Sequence, residues 1–337
     1  MKTLLYKPLE NQMVQCGICS HFCRIEEGKR GICGVRENRS GVLESLVYQK
    51  VIARSIDPIE KKPLYHVKPG SFSYSVATVG CNFKCDFCQN SDIAQVPSEN
   101  GRLIRGVDIP PDEIVAQAIR ARCESIAYTY TEPAVYFELA FETAKLAREK
   151  GLLNVFVTNG YMSRAALETM APYLDAANVD LKSFSDKFYR KYCKASLEPV
   201  KENLKLMKSL GIEVEVTTLV IPGLNDSNEE LNSIAGFVAD ELGPEVPWHI
   251  SRFHPAFRMT EPGRTPPETL TRAFEAGKDA GLYHVYVGNA PEIARADTFC
   301  HSCGAVLVKR HAYEVDVEVA FQTGKCPSCG TRLYGVY

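Results

Sequence analysis

Thirteen of the 337 residues are cysteine, and eleven of them fall into three groups whose spacing suits metal chemistry. The sharpest is the run Gly80-Cys81-Asn82-Phe83-Lys84-Cys85-Asp86-Phe87-Cys88-Gln89-Asn90, which directly follows an apolar strand-like stretch. Three thiolates spaced C-x3-C-x2-C can hold three corners of a cubane iron–sulfur cluster, whose usual complement is four. The fourth iron is then open to a small-molecule ligand, as in catalytic metal sites that keep one position free. The bland alternatives are a zinc site short of one ligand, or three buried thiols.

Cys300-His301-Ser302-Cys303-Gly304 and Cys326-Pro327-Ser328-Cys329-Gly330 form paired C-x-x-C-G knuckles, with 22 residues between Cys303 and Cys326. Four thiolates so arranged suit a closed, tetrahedral structural zinc site, a zinc ribbon, with rubredoxin-type iron as runner-up. Cys16, Cys19, Cys23 and Cys33 follow a looser pattern. Spacing alone leaves this group open between a second structural zinc site and an auxiliary iron–sulfur cluster that feeds electrons to the first. Cys123 and Cys193 carry no motif and read as buried thiols.

The elements that must position these groups alternate in kind. Strands are expected at Ser73–Val79, Ser125–Thr129, Leu153–Thr158, Ala177–Leu181, Glu213–Ile221, Trp248–Phe253 and His284–Val287. Helices are expected at Asp112–Arg122, Ala134–Lys150, Arg164–Ala171, Val200–Leu210, Asn228–Leu242 and Pro267–Ala280. Pro110-Pro111-Asp112-Glu113 and Ser227 mark helix starts, while Gly151, Gly211 and Gly281 mark stops. Repeated β–α units imply parallel strands with right-handed crossovers. Six or seven units fall short of the roughly 250 residues of a full eight-unit barrel, so an open, partial α/β barrel is favoured over a flat doubly wound sheet. Three parts are expected: residues 1–70 with the first cysteine group, 71–296 as the barrel, and 297–337 as the ribbon.

Composition narrows the setting. Hydrophobic residues make up 45% and charged residues 24%, and the formal net charge is −2. A largely disordered chain is disfavoured, and so is generic electrostatic binding to nucleic acid. No stretch approaches the ~18 apolar residues of a membrane span, and no export signal is evident, so a soluble, cytoplasmic protein is expected. A reducing compartment agrees with reading the cysteines as metal ligands rather than disulfides. Lys182 to Lys208 holds eight basic residues against three acidic ones, either a solvated helix face or a docking surface for an acidic electron-donor protein. Glu261-Pro262-Gly263-Arg264-Thr265-Pro266-Pro267 reads as a loop near the barrel mouth.

The three-cysteine run resembles the defining C-x3-C-x-aromatic-C motif of the radical SAM superfamily, with Phe87 as its aromatic residue. That resemblance implies a [4Fe–4S] cluster on Cys81, Cys85 and Cys88 whose open iron binds S-adenosylmethionine (SAM). Reductive cleavage of SAM then yields a 5′-deoxyadenosyl radical that abstracts hydrogen from a substrate. It also implies SAM contacts from Phe87, from Glu132 in Tyr128-Thr129-Tyr130-Thr131-Glu132-Pro133, and from Thr158 and Asn159. Asp180, Lys182, Thr218 and His254 complete the set, with His254 the candidate catalytic residue. Here Tyr130-Thr131 replaces the glycines common before that Glu-Pro. Read without the resemblance, Glu132 starts a helix, Asn159-Gly160 is a turn and Asp180/Lys182 a surface pair.

Thr158-Asn159-Gly160 and Asp180-x-Lys182 are similar to motifs of glycyl-radical-enzyme activases, among them pyruvate formate-lyase-activating enzymes. The Cys16–Cys33 group, Pro58-Ile59-Glu60-Lys61-Lys62-Pro63-Leu64-Tyr65-His66 and Cys88-Gln89-Asn90 together resemble the AmmeMemoRadiSam-system radical SAM proteins. This implies AMMECR-type and Memo-type partners, while reducing a sulfonium requires a low-potential electron donor, a flavodoxin or ferredoxin. The expectation is a radical SAM enzyme of unidentified substrate. The alternatives are an activase that makes a glycyl-type radical on a partner protein, and a non-catalytic iron–sulfur or zinc interaction protein.

Overall fold

The computed structural model describes residues 1–99, 103–293, 295–311, 313–317 and 323–337. Its centre is a nine-stranded sheet built from β1 (Lys50–Pro58), β2 (Phe72–Thr78), β3 (Val107–Asp108), β4 (Ser125–Tyr128), β5 (Leu153–Thr158), β6 (Ala176–Asp180), β7 (Glu213–Val220), β8 (Trp248–Arg252) and β9 (Val285–Gly288). Strand order is β9-β8-β7-β6-β5-β4-β2-β1-β3. From β2 through β9 every pairing is parallel, while β1 runs antiparallel to β2 and to β3. All seven strands expected from the sequence are present and sit side by side in sequence order.

That order has a consequence. If each right-handed crossover steps one strand in the same direction, every helix must land on the same face of the sheet. The helices α1 (Pro111–Arg120), α2 (Phe137–Glu149), α3 (Arg164–Met170), α4 (Glu198–Ser209), α5 (Asn228–Phe237) and α6 (Pro267–Asp279) make these crossovers. Pro111 and the acids Asp112 and Glu113 occupy the first turn of α1, and Ser227 Oγ caps α5 by accepting from Glu230 N at 3.2 Å. Gly151, Gly211 and Gly281 all stop helices at positive φ. Two expected helices are modified at an end. A 3₁₀ turn at Pro133–Tyr136 precedes α2, because Pro133 and the Glu132 cap tighten the entry, and a π turn at Val238–Leu242 follows α5.

The opposite face is covered by chain from outside the repeated units. Ile59, Leu64 and Val67, from the connection between β1 and β2, pack on Ala127, Val155 and Ala176 of β4, β5 and β6. Over them lies a three-stranded antiparallel module, β10 (Thr298–Phe299), β11 (Val306–His311) and β12 (Glu314–Val317). Lys50–Pro58 pairs along the whole of β2. The N-terminal part also shares one continuous core with the sheet and its helices, through Val14, Ile18, Val35 and Leu43.

Two buried polar links hold the outer parts on. The Arg36 guanidinium meets the Glu138 carboxylate in a two-pronged pair at 2.9 Å each and also donates to Thr3 Oγ1 at 2.8 Å. Both side chains are almost fully buried. His66 bridges Tyr334 O and Tyr286 Oη, each at 2.8 Å, and so pins the C-terminal segment to β9. Among the described residues no helix is long and apolar enough to cross a membrane.

Burial holds the His66 imidazole down at about 3, far below an unfolded histidine. The folded state therefore binds fewer protons than the unfolded one between these two values, and stability falls as pH drops from the unfolded toward the folded value. Between pH 6.5 and 5 the loss from this group is about 2 kcal/mol. Urea unfolding at the two pH values should show a smaller acid loss in His66→Gln than in the wild type, whatever the offset between them at pH 7.

Candidate functional site

The loop from Gly80 to Asn90 leaves the C-terminal end of β2 and carries Cys81, Cys85 and Cys88. Gly80 has φ +101°, and a Cβ there would meet Val35 Cγ1 at 2.6 Å and Cys33 O at 3.1 Å. Only glycine permits both the backbone conformation and the close approach of the N-terminal segment. The middle of the loop is held from the far side of the sheet. A π turn at Tyr189–Cys193 ends at Lys194 in the left-handed conformation, and its carbonyls receive the loop: Lys84 N donates to Cys193 O at 2.9 Å and Asp86 N to Tyr192 O at 3.0 Å. Carbonyls at a helix end lack internal partners, so the two segments satisfy each other. Arg258 N, from the loop after β8, donates to Asp86 O at 3.0 Å.

No three sulfurs of this loop lie within 4.8 Å of one another, so they are not gathered around a point the size of one ion. Cys81 Sγ receives Phe83 N at 3.4 Å and lies 3.9 Å from Asn159 Nδ2, the kind of N–H···S contact that tunes a cluster. Burial pushes the Cys88 thiol up to about 11 and Cys81 higher still. Cys85 is raised by a hydrogen bond with Cys193 and then by burial. Such thiols ionise at neutral pH when a cation takes the sulfur. A spread, buried set of three soft donors with amide hydrogen bonds fits a polynuclear iron–sulfur group.

Several of the other positions expected from the sequence gather around this loop. Glu132 is 1% exposed and accepts from Thr158 Oγ1 and Asn159 N, both at 2.8 Å, and from Ala134 N at 3.2 Å. It therefore ties the ends of β4 and β5 together while starting the next helical turn. Burial raises its carboxyl to about 7. Asn159 Nδ2 donates to Asn82 Oδ1 at 2.8 Å, joining β5 to the cysteine loop. Lys182 Nζ pairs with Asp180 at 2.9 Å and lies 5.9 Å above the Phe87 ring. Burial works against the charge on Lys182, but Asp180 and the nearby Cys85 and Cys193 outweigh it and raise its pKa.

Thr218 stands on β7. It is fully buried, donates to Leu181 O at 2.9 Å and accepts from Trp248 Nε1 at 3.0 Å, so its hydroxyl is spent between strands. Strand alternation places its neighbour Thr217 on the other face. There, space of about 1780 Å³, counting the part open to solvent, is lined by Thr217, His249, Ser251, Asn289, Tyr65 and Arg310. His254 is exposed on the loop after β8.

Three features were not foreseen. Cys193 stands against Cys85 although 108 residues separate them, and nothing in its local sequence signals this. Asn82 links the loop to β5. A buried group forms around Asp57, which receives Lys62 Nζ at 2.6 Å, Lys61 Nζ at 2.8 Å, Ser75 Oγ at 2.8 Å and the Tyr130 hydroxyl. Lys62 lies 4.6 Å above the Tyr130 ring, and burial lowers its ammonium to about 8. The adjacent pair Lys61-Lys62 after an acid was its only sequence signal. Tyr130 adopts φ +62°, and its carbonyl receives Asn90 Nδ2 at 2.7 Å.

At the C-terminus the four cysteines are gathered tightly. Cys300 and Cys329 sulfurs are 3.7 Å apart, as are those of Cys303 and Cys326, and all four lie within 4.8 Å of one another. Tetrahedral bonds of ~2.3 Å to one ion set sulfurs about 3.8 Å apart, so this group has single-ion dimensions.

Gly80→Ala should cost ~1–3 kcal/mol from positive φ alone and more from the Val35 contact. Urea unfolding and iron content after reconstitution should both fall. Adding Val35→Ala should recover only the contact part.

A model of the Radical SAM superfamily matches residues 75–235, from β2 into α5. An uncharacterized protein of Methanocaldococcus jannaschii is 45% identical over 333 residues, 98% of each chain. The pyruvate formate-lyase-activating enzyme of Clostridium pasteurianum is 21% identical over 50% of this chain and 72% of its own. The Escherichia coli pyruvate formate-lyase 1-activating enzyme is 21% identical over 57% and 83%. Among solved structures, a radical SAM methyltransferase from Sphaerobacter thermophilus aligns with TM-score 0.50 and 18% identity over 72% of this chain and 71% of its own. SuiB of Streptococcus suis bound to S-adenosylmethionine aligns with TM-score 0.52 and 14% identity over 76% and 61%. With the cysteine loop at the end of β2 and the parallel sheet that carries it, these likenesses establish that the chain belongs to the radical SAM superfamily and is homologous to pyruvate formate-lyase-activating enzymes.

Proposed function

We propose that the protein is a radical SAM enzyme that reductively cleaves S-adenosylmethionine and takes hydrogen from a substrate yet to be identified. The observation that carries this reading is the loop Gly80–Asn90, clamped at the strand end beside Glu132, Asn159 and the Asp180/Lys182 pair. Cys81, Cys85 and Cys88 would hold the [4Fe–4S] cluster. When bound, that cluster supplies the electron that splits a sulfonium C–S bond and releases a 5′-deoxyadenosyl radical.

The chain's own part is positional. Phe83 N and Asn159 Nδ2 donate toward Cys81 sulfur. Asp180 and Lys182 offer opposite charges on one strand end, a match for the amino-acid part of the cofactor. Glu132 acts chiefly by fixing Asn159 and the turn after β4, since three of its acceptor positions are already taken. A substrate would enter from the face opposite the helices, where the large space is rimmed by Ser251 and Asn289 near strand ends and by His249, paired with buried Glu215 at 2.5 Å. One-sided placement of the helices favours a sheet curved as a partial barrel around that space.

The relatives named as activating enzymes favour one second reading, in which the abstracted hydrogen belongs to a partner polypeptide. AMMECR-type and Memo-type proteins are the partners proposed from the sequence resemblance, and a flavodoxin or ferredoxin is the proposed donor. Zinc is proposed at Cys300, Cys303, Cys326 and Cys329, because the sulfur separations match one tetrahedral ion.

Anaerobically reconstituted protein with SAM and dithionite should form 5′-deoxyadenosine, measured by chromatography. Cys85→Ala should reduce the product to background, while Lys182→Ala should lower it at least about tenfold by unpairing Asp180. Repeating the assay with candidate partner proteins separates the two readings, since a protein substrate would acquire a radical detectable by electron paramagnetic resonance. No nucleoside with a fully loaded cluster, with or without partners, would sink the proposal.

A further inference from the structure

The four N-terminal cysteines form a site that the proposed reaction does not use. Cys16, Cys19, Cys23 and Cys33 all line one pocket, together with Ile18, Ile25, Ile32 and Val135, and no disulfide joins them. The pocket encloses about 350 Å³ of atom-free space, counting the part open to solvent. We propose that these four cysteines bind an iron–sulfur cluster of the [4Fe–4S] class rather than a zinc ion.

The chain contains its own standards for the comparison. At the C-terminus four thiols approach to 3.7 Å in pairs and all lie within 4.8 Å, as one tetrahedral ion requires. At the N-terminus no three sulfurs come within 4.8 Å of one another, although all four border the same pocket. In this the site matches the loop of Cys81, Cys85 and Cys88, whose sulfurs are also spread. A cubane holds each thiolate on a different iron and so needs the sulfurs apart around a central volume.

The turns around the sulfurs point the same way. Each C-terminal knuckle closes with a glycine amide on the first cysteine's carbonyl, Gly304 N to Cys300 O at 2.9 Å and Gly330 N to Cys326 O at 2.8 Å. The N-terminal group has no such pair: Ser20 follows Cys19, and Cys23 and Cys33 stand on separate segments.

The site also shares a wall with the first one. Asn82, the neighbour of Cys81, lines the pocket, and its carbonyl lies 2.9 Å from His21 Nε2. Cys33 O and Val35 press on Gly80 at the start of the catalytic loop. Ala134 and Val135, just past Glu132, complete the partition. Arg36, held by its pair with Glu138, lines the pocket too. A cluster here would stand one residue's width from the catalytic loop, a position suited to exchanging single electrons with the cluster held there.

The test removes the first site and counts what remains. The full-length variant Cys81→Ala/Cys85→Ala/Cys88→Ala is reconstituted anaerobically with ferrous iron, sulfide and zinc all present, and iron, acid-labile sulfide and zinc are measured per chain. About four iron and about four sulfide are expected, with about one zinc at the C-terminal group. Two zinc without labile sulfide, iron without sulfide, or an empty N-terminal site would each overturn the proposal. If the triple variant does not fold, the wild-type chain decides. About eight iron and eight sulfide, with SAM altering the resonance signal of only one of two reduced clusters, supports the second cluster, and about four of each refutes it. The triple variant cannot cleave SAM, so its metal content reads this site whether or not the proposed reaction is correct.

Discussion

A loop bearing three thiols has no regular hydrogen-bonding of its own, so its shape must be imposed by the main chain around it. Here the imposing groups are carbonyls at the end of a π turn more than a hundred residues away. Lys84 N and Asp86 N donate to Cys193 O and Tyr192 O, and each bond satisfies a buried group on both segments. An α-helical turn at Tyr189–Cys193 would carry its carbonyls at a different angle, which gives the wider turn a structural reason to exist. Lys182 is tied to the same turn, since its N–H donates to the Tyr189 hydroxyl at 3.0 Å.

A second constraint fixes the opposite side of the loop. The buried Arg36–Glu138 pair joins the N-terminal segment to α2, and removing either partner would strand a charge in the core at a cost of ~3–5 kcal/mol. The segment that holds Cys33 and Val35 is seated against Gly80, and Arg36 also donates to the carbonyls of Ala134 and Val135. The N-terminal cysteines and the Gly80–Asn90 loop thus stand against one another through Cys33, Val35 and Asn82.

The sheet explains where the large cavity lies. Sequential parallel strands send their helices to one face, so the other face is free for polar side chains and for covering chain. The segment Ile59–Val67 and the C-terminal module supply that cover, and Arg310 reaches Tyr65 O at 2.8 Å to hold the two together. The module therefore contributes residues to the rim of the large cavity as well as carrying its own four-cysteine group.

The sequence alone determined the grouping of the cysteines and the order of the parts. Cys81, Cys85 and Cys88 sit close together in the chain, and seven apolar strands alternate with capped helices, so local spacing and periodicity suffice to read them. The knuckle pairs at the C-terminus are legible for the same reason, as is Glu132 at a strand end. Only the tertiary structure decides that Lys50–Pro58 pairs along β2. Thr218 and Thr217 are adjacent in sequence, and only the register of β7 against β8 decides which faces the cavity. Cys193 beside Cys85, Asn82 between two cysteine groups, and the Asp57–Lys62–Tyr130 cluster depend on contacts between distant segments. Such contacts are set by packing and burial, which a linear pattern does not encode.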